Sequence, residues 1–417
     1  MDTLQKALQL KLAELPRQFL PHLLDNKLRE QGINLSKRKL AELADKILGG
    51  EIERFDLPTR TGVDRRISIE FTDADLKWIE EQCEKTLEDL PQLVQTLSET
   101  ISSQLLKSLK RRWRGESSFQ KRELVAFRKR LQKRWNTGLK MLRMQLAIAR
   151  EFGDGINRAI RESGETDTPR SFEILTRLHA RACQVTDEIL CLLEGGFADG
   201  AMARWRTLYE IAAVSYLIRR HGEELAERYV EHDTIESRRA AHQYQKYCEK
   251  LDQPPLTKEE LSQLDTRRAA LLVKYGPEFD NPQGWAAKHI NKRSPTIAQI
   301  HEAAGVDHLG PYYRMASHNV HANPKGLSFK LGLFGEEPVL LAGPSNAGLT
   351  DPGHATAISL NQVSSVLLEF LPNLDHCVTL MVMHQLEGEI GPELLAAQHR
   401  LEADHEEFRK TSRSVAP

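Results

Sequence analysis

The fold class is decided by the stretch Arg204-Trp-Arg-Thr-Leu-Tyr-Glu-Ile-Ala-Ala-Val-Ser-Tyr-Leu-Ile218, near the middle of a 417-residue chain. Apolar or small residues recur there at Leu208, Ile211, Ala212 and Ser215, which is the spacing of one helical face. The pattern predicts a helix from Asp199 to Arg220 that is apolar enough to lie inside a helical bundle.

Helical patterns of the same kind lie on both sides of this stretch. They cover Phe172–Glu194 before it, and 223–251, 258–275, 297–304, 312–321, 355–385 and 393–410 after it. Leu327–Phe334 and Pro338–Ala342, on either side of Gly335-Glu-Glu, predict two short strands. The chain is therefore predicted to be mainly α, with a C-terminal helical bundle that carries a small β-hairpin.

The first 165 residues predict a different arrangement. Short helices are expected within 2–50, and a strand is expected at 66–72, where polar and apolar residues alternate. A long helix is expected from Asp73 or Asp75 to about Trp113, and a second from Ser117 or Ser118 to about Phe152, with Gly115 between them. Two long helices joined by a short loop usually lie antiparallel, so we predict an N-terminal long helical hairpin.

The length predicts more than one domain, because single cores stop growing near roughly 250–300 residues. Gly153-Asp-Gly155 and the loop at 164–169 are the expected boundary. The predicted parts are an N-terminal helical segment with a short strand (1–72), long basic helices (73–163), a helical bundle (170–390) and a C-terminal helix and tail (391–417).

Composition narrows the class of protein. Hydrophobic residues are 40% and charged residues 28% of the chain, which indicates a folded globular protein. The chain has five cysteines and no Cys-x-x-Cys pair, and its first residues do not resemble a signal peptide. These features predict a cytoplasmic protein with no membrane span. No metal or cofactor motif is found, so no cofactor is expected.

Charge is unevenly distributed along the chain. The formal net charge is −1, yet residues 107–134 hold twelve basic residues against two acidic ones, which leaves +10 there and −11 elsewhere. Such a cluster attracts phosphate backbones through counterion release, and RNA or another nucleic acid is the expected partner. Two other interpretations stay open: a solvated pair of helices, or a dock for the acidic remainder. The candidate nucleic-acid-binding residues are Lys107, Lys110, Arg111, Arg112, Arg114, Arg128, Lys129, Arg130, Lys133 and Arg134.

A second candidate site lies in the segment 312–321. If this segment is helical, Arg314, His318 and His321 fall on one face, with Ser317 beside them. A guanidinium binds phosphate, and an imidazole moves protons near neutral pH. Together they could cleave RNA without a metal, and the alternative is a buried polar cluster with a structural role.

Arg206 and Glu210 are spaced by one helical turn on the opening stretch. An i,i+4 pair of this kind is ordinarily a structural contact. Because the helix is so apolar, the Arg206–Glu210 pair could instead contact and orient Arg314 or a histidine of the site.

The pair Arg314 and His321 resembles the Arg-x6-His motif of HEPN domains (higher eukaryotes and prokaryotes nucleotide-binding), and 204–218 is similar to their Ala-rich helix. The chain from about Phe172 to Leu386 also resembles an uncharacterised bacterial helical family. The marks of that family are the Arg…Glu helix, Glu227-Arg228-Tyr229, and Tyr313 with Ser317 and His321. The HEPN resemblance implies metal-independent RNA cleavage, often by a dimer and often in toxin–antitoxin or antiviral defence, with Arg314 and His321 as the catalytic pair.

A different class of function remains open beside the ribonuclease hypothesis. The chain could be a non-catalytic helical scaffold or an interaction protein that oligomerises through its long helices. A homo-oligomer, most simply a dimer, is expected under either hypothesis.

Overall fold

A computed structural model describes residues 3–48, 55–57, 65–67, 69–163, 168–334 and 340–414. Its contacts divide the chain into two compact units, an N-terminal unit (Met1–Gln120) and a C-terminal unit (Lys121–Pro417). The four-part division made from the sequence stays a prediction, because compactness alone does not show which parts fold independently.

The N-terminal unit begins with three helices, α1 (Thr3–Ala13), α2 (Leu15–Glu30) and α3 (Lys37–Leu48). Leu24 and Leu28 on α2 are fully buried, and they share a small core with Leu40 and Leu43 of α3. These α3 residues recur at helical spacing, and this recurrence predicted the helix from the sequence.

Two strands of three residues follow, β1 (Phe55–Leu57) and β2 (Arg65–Ile67), which pair antiparallel. The strand expected at 66–72 is therefore shorter than predicted, since the described residues 69–72 are not in a strand. Thr72 instead precedes the next helix, where its backbone N–H donates to the Asp75 carboxylate at 2.7 Å.

The predicted N-terminal helical hairpin is wrong, because α4 runs without a break from Asp73 to Glu162. A glycine inside a helix costs only about 1 kcal/mol relative to alanine, so Gly115 does not end it. The hydroxyls of Ser117 and Ser118 donate to the carbonyl of Arg114 at 3.2 and 2.8 Å, so they support a continuing helix rather than cap a new one. α4 contributes its first part to the N-terminal unit and its later part to the C-terminal unit.

The rest of the described part of the C-terminal unit is mainly helical. Its helices are α5 (Arg170–Glu194), α6 (Ala198–Glu231), α7 (Asp233–Tyr247), α8 (Lys258–Tyr275), α9 (Ile297–Ala304), α10 (Gly310–Val320), α11 (Pro324–Ser328), α12 (Thr350–Ser365) and α13 (Leu374–Ser414). Short 3₁₀ helices lie at Glu249–Leu251, Pro277–Asp280, Gly284–Ala286, Asp307–Leu309 and Val366–Phe370. No helix in the described part of the chain is long and apolar enough to cross a membrane.

α6 lies at the centre of this bundle. The indole of Trp205 is fully buried and donates to the carbonyl of Ala355 on α12 at 2.9 Å. Tyr209, one turn later, stacks on Trp205 with 5.1 Å between ring centroids. Gly222 has φ +65° and interrupts the helical backbone of α6, which confirms the predicted break between 199–220 and 223–251.

The β-hairpin predicted in the C-terminal bundle is wrong. Leu327 and Ser328 end α11, and no strand is found at the described residues 329–334 or 340–342; residues 335–339 lie outside the described part. The backbone here bonds to other partners: the N–H of Leu331 donates to Asp199 at 3.1 Å, and the hydroxyl of Ser345 donates to the carbonyl of Gly332 at 2.6 Å. These bonds replace the ladder that a hairpin would need.

Arg228 holds α6 to the segment that follows α8. Its side chain is 1% exposed, and it donates to the carbonyls of Trp285 at 3.0 Å and Gly284 at 3.2 Å. The guanidinium also lies 4.7 Å from the ring centroid of Tyr275. Arg228 belongs to the Glu227-Arg228-Tyr229 mark noted in the sequence, and its contacts give that mark a structural role.

We expect Arg228→Ala to lower the free energy of unfolding by about 2–4 kcal/mol, because it removes charge-assisted hydrogen bonds and leaves a cavity. Chemical denaturation followed by circular dichroism measures this loss. Arg267→Ala, an exposed arginine on α8, is the matched control and should change stability by less than about 0.5 kcal/mol. An equal loss in both variants would contradict the anchoring role of Arg228.

Candidate functional site

A surface cavity of about 850 Å³ lies along α10. Pro311 fits the first turn of α10, where its missing N–H is not needed. We call this space the α10 cavity, and its lining combines two cations, one carboxylate and two histidines. The lining residues are Ala298, His301, Asp307, Gly310, Pro311, Tyr313, Arg314, Met315, Ser317, His318, Lys325 and Phe329.

A fixed polar cluster forms one side of the α10 cavity. The hydroxyl of Tyr313 donates to Glu210 at 2.6 Å and accepts from the guanidinium of Arg206 at 2.7 Å. Arg206 also lies 4.5 Å from the centroid of the Tyr313 ring. The predicted pair of Arg206 and Glu210 is present at 3.7 Å, and its partner is Tyr313 rather than Arg314 or a histidine.

His301 on α9 is a lining residue that the sequence did not single out. It is 3% exposed, and its ring lies 4.3 Å from that of Tyr209 and 4.8 Å from that of Tyr313. Its Nε2 is buried and has no hydrogen-bond partner among the described residues. Burial lowers the pKa of His301 to about 4, so the ring is neutral at pH 7.

Arg314 and Lys325 are the cations of the α10 cavity. Arg314 is exposed, and within the described part of the chain neither residue forms a side-chain hydrogen bond or an ion pair. Asp307 supplies the carboxylate of the lining. The cavity therefore presents two cationic groups against one anionic group, which favours a negatively charged ligand.

His318 is held in the lining by Asn323, whose side chain also caps α11. The carbonyl oxygen of Asn323 accepts from the backbone N–H of Gly326 at 3.0 Å, so the amide nitrogen faces the ring. That nitrogen lies 2.7 Å from Nδ1 of His318. With Nδ1 as the acceptor, the neutral ring carries its proton on Nε2. The hydroxyl of Ser317, by contrast, donates to the carbonyl of Tyr313 at 2.8 Å.

His321 is not on the helical face of Arg314 and His318. α10 ends at Val320, and His321 has an extended backbone (φ −104°, ψ 138°) and an exposed side chain outside the lining of the α10 cavity. Asn323 precedes Pro324, and a residue before proline avoids the helical region, which stops α10 here. Of the four predicted catalytic residues, three line one cavity and His321 does not, and the catalytic roles stay predictions.

The predicted nucleic-acid-binding residues all lie on α4. Nine are exposed, and Arg134 is half-buried and pairs with Asp404 on α13 at 2.5 Å. Lys107, Lys110, Arg111, Arg112 and Arg114 belong to the N-terminal unit; Arg128, Lys129, Arg130, Lys133 and Arg134 belong to the C-terminal unit. Apart from Arg134, none forms an ion pair with a described residue.

A second cavity, of about 810 Å³, lies between α4 and α5. It contains Cys183 and His179, whose Sγ and Nδ1 atoms are 3.9 Å apart. Burial raises the pKa of Cys183 to about 11 and lowers the pKa of His179 to about 4, so neither group is ionised at pH 7. This pair is not an activated nucleophile.

The described residues contain no group of three or more histidine, cysteine or acidic side chains that could hold a metal ion.

Comparison with known proteins adds one finding. Residues 172–338, from the start of α5 to beyond α11, match a family of unknown function (DUF5677). The matched part includes the whole α10 cavity and leaves out α4 and α13. No curated protein and no solved structure shows a significant match to the chain.

Acid should destabilise the protein through its buried neutral histidines. An exposed histidine has a pKa of about 6.5, whereas His301 has a pKa of about 4 in the folded chain. The unfolded chain therefore takes up the proton first as the pH falls. We expect protonation of His301 to lower the free energy of unfolding as the pH falls from about 6.5 to about 4, with a slope of up to about 1.4 kcal/mol per pH unit.

Denaturation of the chain and of His301→Gln across this pH range measures the contribution. The slope of unfolding free energy against pH should be shallower for His301→Gln than for the unmodified chain. His399→Gln, at an exposed site on α13, should keep the original slope. Identical slopes for all three proteins would show that His301 is not held neutral in the folded state.

Proposed function

We propose that this chain binds RNA and cleaves it at the α10 cavity without a metal ion. The observation that carries the proposal is the convergence of Arg314, Lys325 and an oriented His318 in one cavity. The HEPN resemblance of the sequence supports the reaction class, and a role in defence or as a toxin rests on that resemblance alone.

Arg314 and Lys325 would bind the phosphate that is attacked. A guanidinium offers two parallel N–H donors to phosphate oxygens, and an ammonium adds a mobile positive charge. The exposure of Arg314, and the lack of a described ion-pair partner for either residue, leave both free to bind an incoming phosphate. Tyr313 lies beside Arg314 and is fixed from behind by Arg206 and Glu210, which keeps this part of the wall rigid.

The reaction would be an attack by the ribose 2′-hydroxyl on the adjacent phosphorus. The 2′-oxygen loses its proton to a base and forms a bond to phosphorus, while the bond from phosphorus to the 5′-oxygen breaks. The leaving oxygen takes a proton from an acid, so the products are a 2′,3′-cyclic phosphate and a 5′-hydroxyl. With its proton on Nε2, the neutral ring of His318 can donate a hydrogen bond that stabilises the charge on the leaving oxygen while solvent water supplies the proton. Asp307 is the carboxylate in the lining that can accept the first proton.

This assignment gives His318 the role that the sequence gave to His321. His321 is the residue matched by the Arg-x6-His motif, but only His318 lies in the cavity with Arg314. The two histidines therefore make opposite predictions for mutagenesis.

The exposed basic residues of the C-terminal unit would recruit the RNA. Arg122, Lys129 and Lys133 are spaced by seven and four residues, which places them on one face of α4. All three are exposed and form no ion pair with a described residue. Their charge would raise the local concentration of RNA without reading its sequence.

A non-catalytic scaffold remains the second candidate function. It is favoured by the exposed apolar side chains on the first part of α4, such as Leu97, Leu105 and Trp113. A protein that only oligomerises would bind no RNA through the C-terminal unit.

Incubation of the purified chain with total RNA in the presence of a chelator tests the catalytic proposal. We expect cleavage to persist with the chelator and to fall by at least about 100-fold in Arg314→Ala and in His318→Ala, in line with the usual contribution of one donor that stabilises charge in the transition state. His321→Ala should retain most of the activity. Arg177→Ala and His399→Ala, both exposed and outside the α10 cavity, are the matched controls.

Cleavage that survives in Arg314→Ala and His318→Ala would overturn the assignment. If His321→Ala loses cleavage while His318→Ala keeps full activity, the catalytic role belongs to His321, the histidine of the Arg-x6-His motif.

RNA affinity should depend on the basic face of the C-terminal unit. The double reversal Lys129→Glu with Lys133→Glu should weaken binding at least about tenfold, and lower the slope of log affinity against log salt by about 0.7 for each lost phosphate contact. Fluorescence anisotropy with a labelled single-stranded RNA measures both. Reversal of Lys258 and Arg267, which are exposed on α8, should leave the affinity unchanged, and equal weakening by both pairs would indicate only a general charge effect.

A further inference from the structure

The first part of α4 presents an exposed apolar face that no described residue covers. Leu87, Leu97, Leu105, Leu109 and Trp113 are each about half exposed, and Trp113 is 57% exposed. At 100° per residue, these side chains lie with Leu90, Val94 and Ile101 within an arc of about 160°. Large apolar side chains in one contiguous row are typical of a surface that another molecule covers.

The spacing of this row is nearly the same in both directions from one point. The point lies midway between Glu99 and Thr100. Each apolar residue before this point has an apolar counterpart after it at the same distance, to within one residue. The pairs are Leu97 with Ile101, Val94 with Leu105, Leu90 with Leu109, and Leu87 with Trp113. A row with this mirror spacing is complementary to a second copy of itself turned through 180°, which is the condition for a two-fold interface.

Charged residues are also arranged on both sides of this midpoint, acidic before it and basic after it. Residues 80–89 carry five acidic side chains and one lysine, whereas residues 107–114 carry five basic side chains and no acidic one. The two stretches lie at similar distances on either side of the midpoint. An antiparallel pair would place acidic against basic stretches at both ends, and a parallel pair would place like charges together.

We propose that the first part of α4 is a self-association surface, in which residues 87–113 of two copies pack antiparallel around a two-fold axis near Glu99 and Thr100. The paired length is about 39 Å at 1.5 Å per residue. Lys110, Arg111 and Arg112 then pair with acidic groups of the second copy. The RNA-binding role proposed above falls to the basic residues of the C-terminal unit.

Sedimentation equilibrium of the full chain tests association through this surface. We expect a dimer, and an apparent dissociation constant raised at least tenfold in Leu97→Asn with Ile101→Asn, which lie next to the axis. Val273→Asn, at an exposed apolar residue of α8 (90% exposed), should dimerise like the unmodified chain. An unmodified chain that stays monomeric at about 100 µM, well above a micromolar dissociation constant, would overturn the proposal. Equal dimerisation by all variants would do the same.

Charge swaps test the antiparallel direction. Glu84→Lys with Glu88→Lys should weaken the dimer, and so should Lys110→Glu with Arg112→Glu, since each set puts like charges across both ends. All four substitutions in one chain should restore the dimer. If the combined variant is folded by circular dichroism and still does not dimerise, the antiparallel arrangement is excluded.

Distances between spin labels give a second measure of direction. In a background with Ser at Cys83, Cys191 and Cys377, labels at Thr100→Cys should lie close together across the axis. Labels at Gln82→Cys should lie about 50 Å apart, because each is about 17 residues from the axis at 1.5 Å per residue. Short distances at both positions would indicate a parallel pair and overturn the proposal.

Discussion

Two successive turns of α6 support both the core of the C-terminal unit and the wall of the α10 cavity. Trp205 and Tyr209 on one face bury aromatic rings and bond to α12 and to the loop before α10. Arg206 and Glu210 on the adjacent face hold the hydroxyl of Tyr313 between them. Because these four side chains lie on two successive turns of one helix, the packing of the core also fixes the position of α10 and its polar groups.

Local patterns were enough to predict many of the helices but not all of their ends. The break near Gly222 was predictable, because polar residues change the helical pattern at the same place. Gly115 gave the same local signal, yet α4 continues through it, since one glycine costs about 1 kcal/mol and the flanking turns can still form. The false hairpin at 327–342 has a different cause: Asp199 and Ser345, distant in sequence, take the backbone bonds that the strands would have shared.

The sequence predicted the site residues that lie on one helix. It did not predict where that helix ends, or which residues of other elements the fold brings to the site. Arg314, Ser317 and His318 were found because cations and imidazoles cluster at helical spacing. His321 was grouped with them on the assumption that the helix continued, and Pro324 ends it first. His301, Asn323 and Lys325 were missed because each comes from a different element, and only the folded chain brings them to α10.

Asn323 has two tasks that set different demands on the same position. As a helix cap for α11 it could be replaced by serine, threonine or aspartate, all of which accept from a backbone N–H. Toward His318 it must also donate, and of the common capping side chains only the amide accepts with one atom while it donates an N–H with another. An aspartate there would cap equally well but would draw the ring proton to Nδ1. The tautomer of His318 is thus encoded in the residue that begins the next helix, and the usual freedom of a capping position is lost.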